Sequence, residues 1–255
     1  MKVTITLWDR DNPLIPVEAE MITPDAFFSG EEIIVAVGNR HIHLAEIADI
    51  HIEGEASSAA EVAIEIRGDS ARFKRVGEMM TAGSITIEGD IGMHCGNFMS
   101  GGSIEILGSA DGWLGREMKG GEIICHGDAG EYCGAGYRGG RKGMRGGSIE
   151  VVGSVGDFAC EHIAGGEVII RGNTGDYPCA EMKGGTVMIL GDCSRVCANM
   201  SAGTCYVYGY ADEMIPTFER IGCVDRDGLQ LHHFKGDVAN RGHGDLYVAR
   251  YGYLS

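Results

Sequence analysis

Nine cysteines are the side chains of this sequence best suited to chemistry. Cys95, Cys133, Cys160, Cys179 and Cys197 each fall 12 or 13 residues past a recurring glycine. Repeated thiolates could ligate an iron–sulfur cluster, which needs four of them converging on one site. The spacing predicts something else. The residues 13 past the glycine are Gly96, Gly115, Gly134, Cys160, Cys179 and Ala198, all small. The sulfurs therefore read as members of an inward stack of small side chains, spread along an axis. No C-x-x-C pair marks a zinc ribbon or a redox site, and cysteines so placed in a long chain are no disulfide framework. His41-Ile-His43 alternates, so both imidazoles share one strand face, and His232 and His233 are adjacent. Either pair could bind a metal, but no Asp, Glu or Cys stands in register with them. Four cations, Arg138, Arg141, Lys142 and Arg145, gather in one glycine-rich stretch and could meet a partner protein or an anion. A solvated loop is the alternative. No G-x-S-x-G, H-E-x-x-H, Walker A or Rossmann motif appears. No catalytic, cofactor-binding or metal-ligating residue is assigned.

The element that positions all of these is a repeat, roughly M-x-G-G-x-I-x-I-x-G-x-x-G. Its register glycine falls at Gly83, Gly102, Gly121, Gly147, Gly166, Gly185 and Gly203, with gaps of 19, 19, 26, 19, 19 and 18 residues. A trailing glycine follows six residues later in every unit, from Gly89 to Gly209. Three before the register glycine stand Met80, Met99, Met118, Met144, Ile163, Met182 and Met200. Two and four after it stand apolar residues, from Ile85 and Ile87 to Cys205 and Val207. Apolar positions two apart predict a strand. A strand this short needs like strands above and below it to satisfy its backbone. The glycines are corners that need φ > 0 or leave no room for Cβ. The pattern predicts an all-β right-handed parallel β-helix. Seven rungs are clear, and Val62–Gly68 and Ile47–Gly54 would make nine. The gap of 26 holds a seven-residue insertion with the cation cluster, and insertions in such stacks emerge on one face.

Residues 1–45 are expected to form an N-terminal cap, 46–210 the rungs, and 211–255 a C-terminal cap or docking tail. Open ends of such a stack need covering. The 42 glycines are periodic and interleaved with Ile, Val and Met, which excludes collagen and argues against disorder. A net charge of −16 makes nucleic acid or an anionic membrane an unsuitable partner. No apolar run approaches the ~18 residues of a spanning helix. The start, Met-Lys-Val-Thr-Ile-Thr-Leu-Trp, alternates and lacks the apolar core of a signal peptide. A cytoplasmic location is the expectation.

Gly89-Asp-Ile-Gly92-Met-His-Cys-Gly96 and Gly127-Asp-Ala-Gly130-Glu-Tyr-Cys-Gly134 carry a G-x-x-G-x-x-x-G corner, continued in degenerate form through Gly153/Gly156 and Gly172/Gly175. With the M-x-G-G-x-I-x-I starts, this resembles the C subunit of formylmethanofuran dehydrogenase. It also resembles the C-terminal β-helix of the glutamate synthase large subunit. The resemblance covers about residues 45–210, and the chain length matches the stand-alone C subunit better than a fused domain. It implies an oxidoreductase complex of anaerobic archaea. That complex reduces CO2 and attaches it to methanofuran as a formyl group, the first step of methanogenesis from CO2. The resemblance further implies a molybdo- or tungstopterin and a [4Fe-4S] cluster on the B and D subunits, and zinc on the A subunit. Ferredoxin-like subunits are further partners. The C subunit would be a scaffold holding the A and B subunits, with no cofactor of its own and no activity alone. Two alternatives stay open. One is the non-redox formyltransferase/hydrolase complex of methylotrophs. The other is a left-handed β-helix acyltransferase, whose repeat has period 18 and no leading Gly-Gly.

Overall fold

A computed structural model describes residues 1–8, 15–137, 139–226 and 228–254. The chain is nearly all-β. Fourteen strands join one sheet, and the only α-helix among the described residues is Pro24–Ser29. The seven repeats give the strands Ser84–Ile87, Ser100–Ile106, Gly120–Cys125, Arg145–Val151, Ala164–Ile170, Lys183–Ile189 and Ala202–Met214. Each is parallel to the next, with Ile85, Ile104, Ile123, Ile149, Val168, Val187 and Cys205 as successive partners. All seven are at most 1% exposed. The methionine position, from Met80 to Met200, is fully buried in every coil, Ile163 included. The two-residue apolar period thus puts one face of each strand inside, as alternation requires.

Coil rests on coil along two further lines. Isolated parallel bridges join Ile91, Ala110, Ala129, Val155 and Thr174 in succession. At the third corner, the amides of His94, Trp113, Tyr132 and Phe158 donate to carbonyls of Gly112, Glu131, Asp157 and Asp176. Gly102 shows why the register position is glycine. Its φ is +80°, and a Cβ there would lie 2.6 Å from Gly83 O. Just after the trailing glycine runs a polar ladder. Asp90 Oδ1 accepts from Ser109 N, Ser109 Oγ from Asp128 N, and Asp128 Oδ1 from Ser154 N. It continues through Ser154 Oγ and Asn173 Oδ1 to Asp192 Oδ1, which accepts from Tyr210 N. Each short side chain closes a turn amide of the next coil, which a bare corner would leave unpaired.

The ends depart from the repeat. Ala63–Arg67 is a parallel rung on Ser84–Ile87, as expected. The strand Lys2–Leu7 then pairs parallel with it, Val3 against Ile64 and Ile5 against Ile66. Ile47–Gly54 is not a rung. Ala48–Glu53 runs antiparallel to Lys2–Leu7. The parallel place beside Ala63–Arg67 is taken by Lys2–Leu7, so this segment, entering through a 3-10 turn at Leu44–Glu46, pairs with the far edge of that strand. Among the described residues no strand pairs with its outer edge, and Ile52 is 52% exposed. At the far end Gly244–Tyr253 adds a parallel strand, Leu246 against Cys205 and Val248 against Val207. The hairpin of Glu219–Arg226 and Leu229–Gly236 packs antiparallel beside it. Beside the first coils lie a small sheet (Val17–Glu18, Ile34–Val37, Arg40–His43, Phe73–Lys74) and the helix. Thr23 Oγ1 caps that helix by accepting from Ala26 N, and Gly30 ends it with φ +71°.

Candidate functional site

The third corner of each coil is built from alternating left-handed residues, and most of them are not glycine. His94, Trp113, Tyr132, Phe158 and Tyr177 all have φ between 56 and 68°. Each occurs 11 residues past its register glycine. Stacked coils place these rings face to face, at centroid distances of 5.1, 5.0, 5.2 and 5.6 Å. The last three pairs are parallel within 7°. Ring stacking and coil spacing share one repeat distance, so the aromatics lend the strained corners favourable contact. A fixed offset of 11 was the sequence signal for this ladder.

A groove of ≈ 310 Å³ opens at the start of the ladder, lined by Glu18, Lys74, Arg75, His94, Asn97, Arg116 and Tyr137. Arg75 is held by Glu78 through two bonds of 2.6 and 2.8 Å, with Glu20 3.5 Å away. The guanidinium of Arg116 lies between two rings, 4.6 Å from Phe98 and 5.0 Å from Tyr137. His94 Nδ1, Asn97 Oδ1 and Arg116 Nε are buried without a hydrogen-bond partner. Burial, then the Arg116 charge, pull the His94 pKa below its ordinary value, so the ring is neutral at neutral pH.

The cation insertion forms one wall of this groove through Tyr137. Gly136 N donates to Glu161 O and Gly143 N to His162 O, so both ends of the excursion are pinned to the next coil. Lys183 Nζ donates to Arg141 O at 2.6 Å. Arg141 and Lys142 are exposed on the excursion. Arg145 is exposed too, but it opens the strand Arg145–Val151 and belongs to the stack rather than the loop. Arg138 lies outside the described residues. Among the described residues none of Arg141, Lys142 and Arg145 has an ion pair.

Eight cysteines are buried and Cys223 is exposed. The expected axial spreading fails at one level. The sulfurs of Cys179, Cys197 and Cys205 all lie within 4.8 Å of one another, with Cys179 and Cys205 at 3.9 Å. Cys205 occupies the isoleucine position of its strand and faces across the bore to the corner cysteines, which spacing along the axis does not capture. Three sulfurs in mutual contact do not fit an iron–sulfur cluster, which takes four thiolates around a much larger body. Burial pushes the thiols of Cys95, Cys133 and Cys197 well up and that of Cys125 to about 11, whereas hydrogen bonds from Cys179 and Cys197 pull that of Cys205 down, toward the thiolate form that a metal requires.

The histidines disperse. His41 and His43 are both exposed on one strand face, with Glu32 3.0 Å from His43 Nδ1. His233 Nε2 meets Asp245 at 2.7 Å and stacks on Tyr247. His232 lies 3.3 Å from the Cys223 sulfur.

Known proteins resemble this chain in sequence or in fold. The C subunit of a molybdenum-containing formylmethanofuran dehydrogenase from Methanosarcina barkeri is 48% identical over 85 residues, covering 31% of this chain and 28% of that one. The corresponding tungsten-containing protein from Methanothermobacter thermautotrophicus is 36% identical over 97 residues, 36% of each chain. The matched stretch thus spans about a third or less of those relatives' length. A chain of the formyltransferase/hydrolase complex (FhcABCD) from Methylorubrum extorquens, solved with methylofuran, superposes with a TM-score of 0.82. That match covers 96% of this chain and 98% of the other at 26% identity. The GXGXG motif model matches residues 84–221, more than half of the chain. Stacked glycine corners, inward apolar strands and these relatives agree, and the chain belongs to the GXGXG-motif family.

Proposed function

We propose that the stack is a right-handed parallel β-helix serving as the C subunit of a molybdenum- or tungsten-containing formylmethanofuran dehydrogenase. The observation that carries this reading is the 48% identity over 85 residues to such a protein. In this reading the complex reduces CO2 and forms N-formylmethanofuran in an archaeal, anaerobic cytoplasm. The pterin and [4Fe-4S] clusters are carried by the B and D subunits and the zinc by the A subunit, together with ferredoxin-like subunits. This chain is the scaffold between them. Its regular rungs make a rigid, acidic column whose inward side chains serve packing. The exposed cations of the insertion suit contact with another protein of the complex. No helix among the described residues is long and apolar enough to cross a membrane.

The second reading is the corresponding component of a non-redox formyltransferase/hydrolase complex. It is favoured by the likeness to the Methylorubrum chain along nearly its whole length. Anaerobic affinity purification of the native complex, with mass spectrometry and metal analysis, separates the two. Partner proteins carrying molybdenum or tungsten with iron–sulfur clusters support the first. A stable complex with neither supports the second. A chain that purifies alone overturns both.

A further inference from the structure

The sheet ends at the strand Ala48–Glu53, and the open side of that strand offers backbone groups that an incoming chain can reach. In its antiparallel pair with Lys2–Leu7, opposite residues alternate between exchanging hydrogen bonds and exchanging none. Trp8 N donates to Ile47 O, which fixes the phase. Asp49, His51 and Glu53 therefore bond inward, opposite Thr6, Thr4 and Lys2. The N–H and C=O groups of Ala48, Ile50 and Ile52 point the other way. Among the described residues no strand meets them. An open edge of this kind is a template for pairing with a further strand.

The side chains extend the same face. Ile50 and Ile52 stand opposite Ile5 and Val3, both fully buried, so they carry the core face past the last covered strand. With Phe27, Ile33 and Leu44 they line a groove of ≈ 420 Å³. A strand added along the edge would lie about 4.8 Å out and send every second side chain over this groove. Charge selects the kind of strand. Glu31 and Glu32 line the groove, and no Lys or Arg does. On the solvent face the edge shows Asp49 and Glu53. Histidines meet Glu32 and Glu53 at 3.0 and 3.1 Å, but Glu31 and Asp49 have no cation beside them among the described residues. Opposite charges across a strand pair favour association, and like charges oppose it. A second copy of this chain, again of net charge −16, would bring its own carboxylates against these.

We propose that the outer edge of Ala48–Glu53 takes an extended segment of another protein of the complex as an added strand, with apolar side chains in the groove and Lys or Arg at alternate positions. This rests on the reading of the chain as one component of a complex. The test uses the full chain in its purified native complex. Ile52 is replaced by the photo-crosslinking residue benzoylphenylalanine, and adducts are mapped by mass spectrometry. The expected adduct joins this position to another protein of the complex, in a stretch where apolar and basic residues alternate. In parallel, Ile52→Pro removes one outward N–H and leaves the inward bonds of His51 and Glu53 in place, which an edge strand tolerates. It should weaken association about tenfold, whereas Ile52→Val should assemble like the parent. Asp49→Lys leaves the backbone untouched and should make the complex dissociate at lower salt. The inference is wrong if partners co-purify but adducts form only within this chain or between two copies of it. It is equally wrong if Ile52→Pro and Asp49→Lys both assemble with unchanged salt resistance. In either case the proposed function stands. If the chain purifies without partners, both fall.

Discussion

Trp113 and Tyr132, one coil apart, stack with ring centroids 5.0 Å apart and planes within 6°. Both occupy left-handed backbone, a conformation that disfavours bulky residues. The stack is therefore held by contacts between coils, not by local preference. Tyr132→Ala should cost roughly 3–5 kcal/mol. Tyr253→Ala, at a site 49% exposed, should stay within about 0.5 kcal/mol. Urea titration of both variants checks this, and equal midpoints would remove the ladder's stabilising role.

Met118 is fully buried in a central coil. Met118→Asp should bury an unpaired carboxylate and cost about 3 kcal/mol or more. Met118→Leu should cost under about 1.5 kcal/mol. An Asp variant that melts like the parent would place this position in solvent.

Cys223 is the exposed thiol and the other eight are buried. A thiol reagent at mildly alkaline pH should label Cys223 quickly and the remaining eight only after denaturation. Cys160→Ala and Cys179→Ala should each cost roughly 1–2 kcal/mol and leave complex activity intact at permissive temperature. Rapid labelling of a buried cysteine, located by peptide mapping, would contradict the packing reading.

Glu65 bonds Lys2 Nζ at 2.8 Å and Arg67 Nη2 at 2.6 Å, tying the N-terminal strand to the rung beneath it. The Lys2 bond first, then the Arg67 bond, lower its pKa from 4.5 to about 2. A depressed carboxylate contributes stability that is present above the unfolded pKa and is lost as pH falls toward the folded one. The difference between wild type and Glu65→Gln should thus be full at pH 7 and shrink between pH 4.5 and about 2. Denaturation midpoints across that range test the sign. A difference that grows on acidification would refute it.

Charge reversal of Arg138 and Arg141 together should leave the circular dichroism of the isolated chain unchanged. It should weaken co-purification with partner proteins, because desolvated Arg–carboxylate pairs are sensitive to loss of either charge. Unchanged yield and salt resistance would make the insertion a solvated loop.

Whatever the repeat states locally was legible before any fold was seen. The spacing from Gly83 to Gly203 carries the corners, the inward strand positions and the buried methionine line. One coil's contacts are nearly the next coil's contacts, so a periodic pattern specifies them many times over. The aromatic offset and the Asp/Ser/Asn ladder were equally periodic, but their meaning lies in ring stacking and amide capping between coils. Packing in three dimensions settled what no period encodes. Ala48–Glu53 matches a rung in pattern, yet it pairs antiparallel because direction at an end is set by the incoming chain. Cys205 joins Cys179 and Cys197 because a strand position and a corner position face each other across the bore. Glu18, Lys74, Asn97, Arg116 and Tyr137 meet in one groove because two strands of the small sheet, two corners and an insertion end side by side. Such groupings join residues from different coils and from outside the repeat, so only the folded stack brings their side chains within reach of one another.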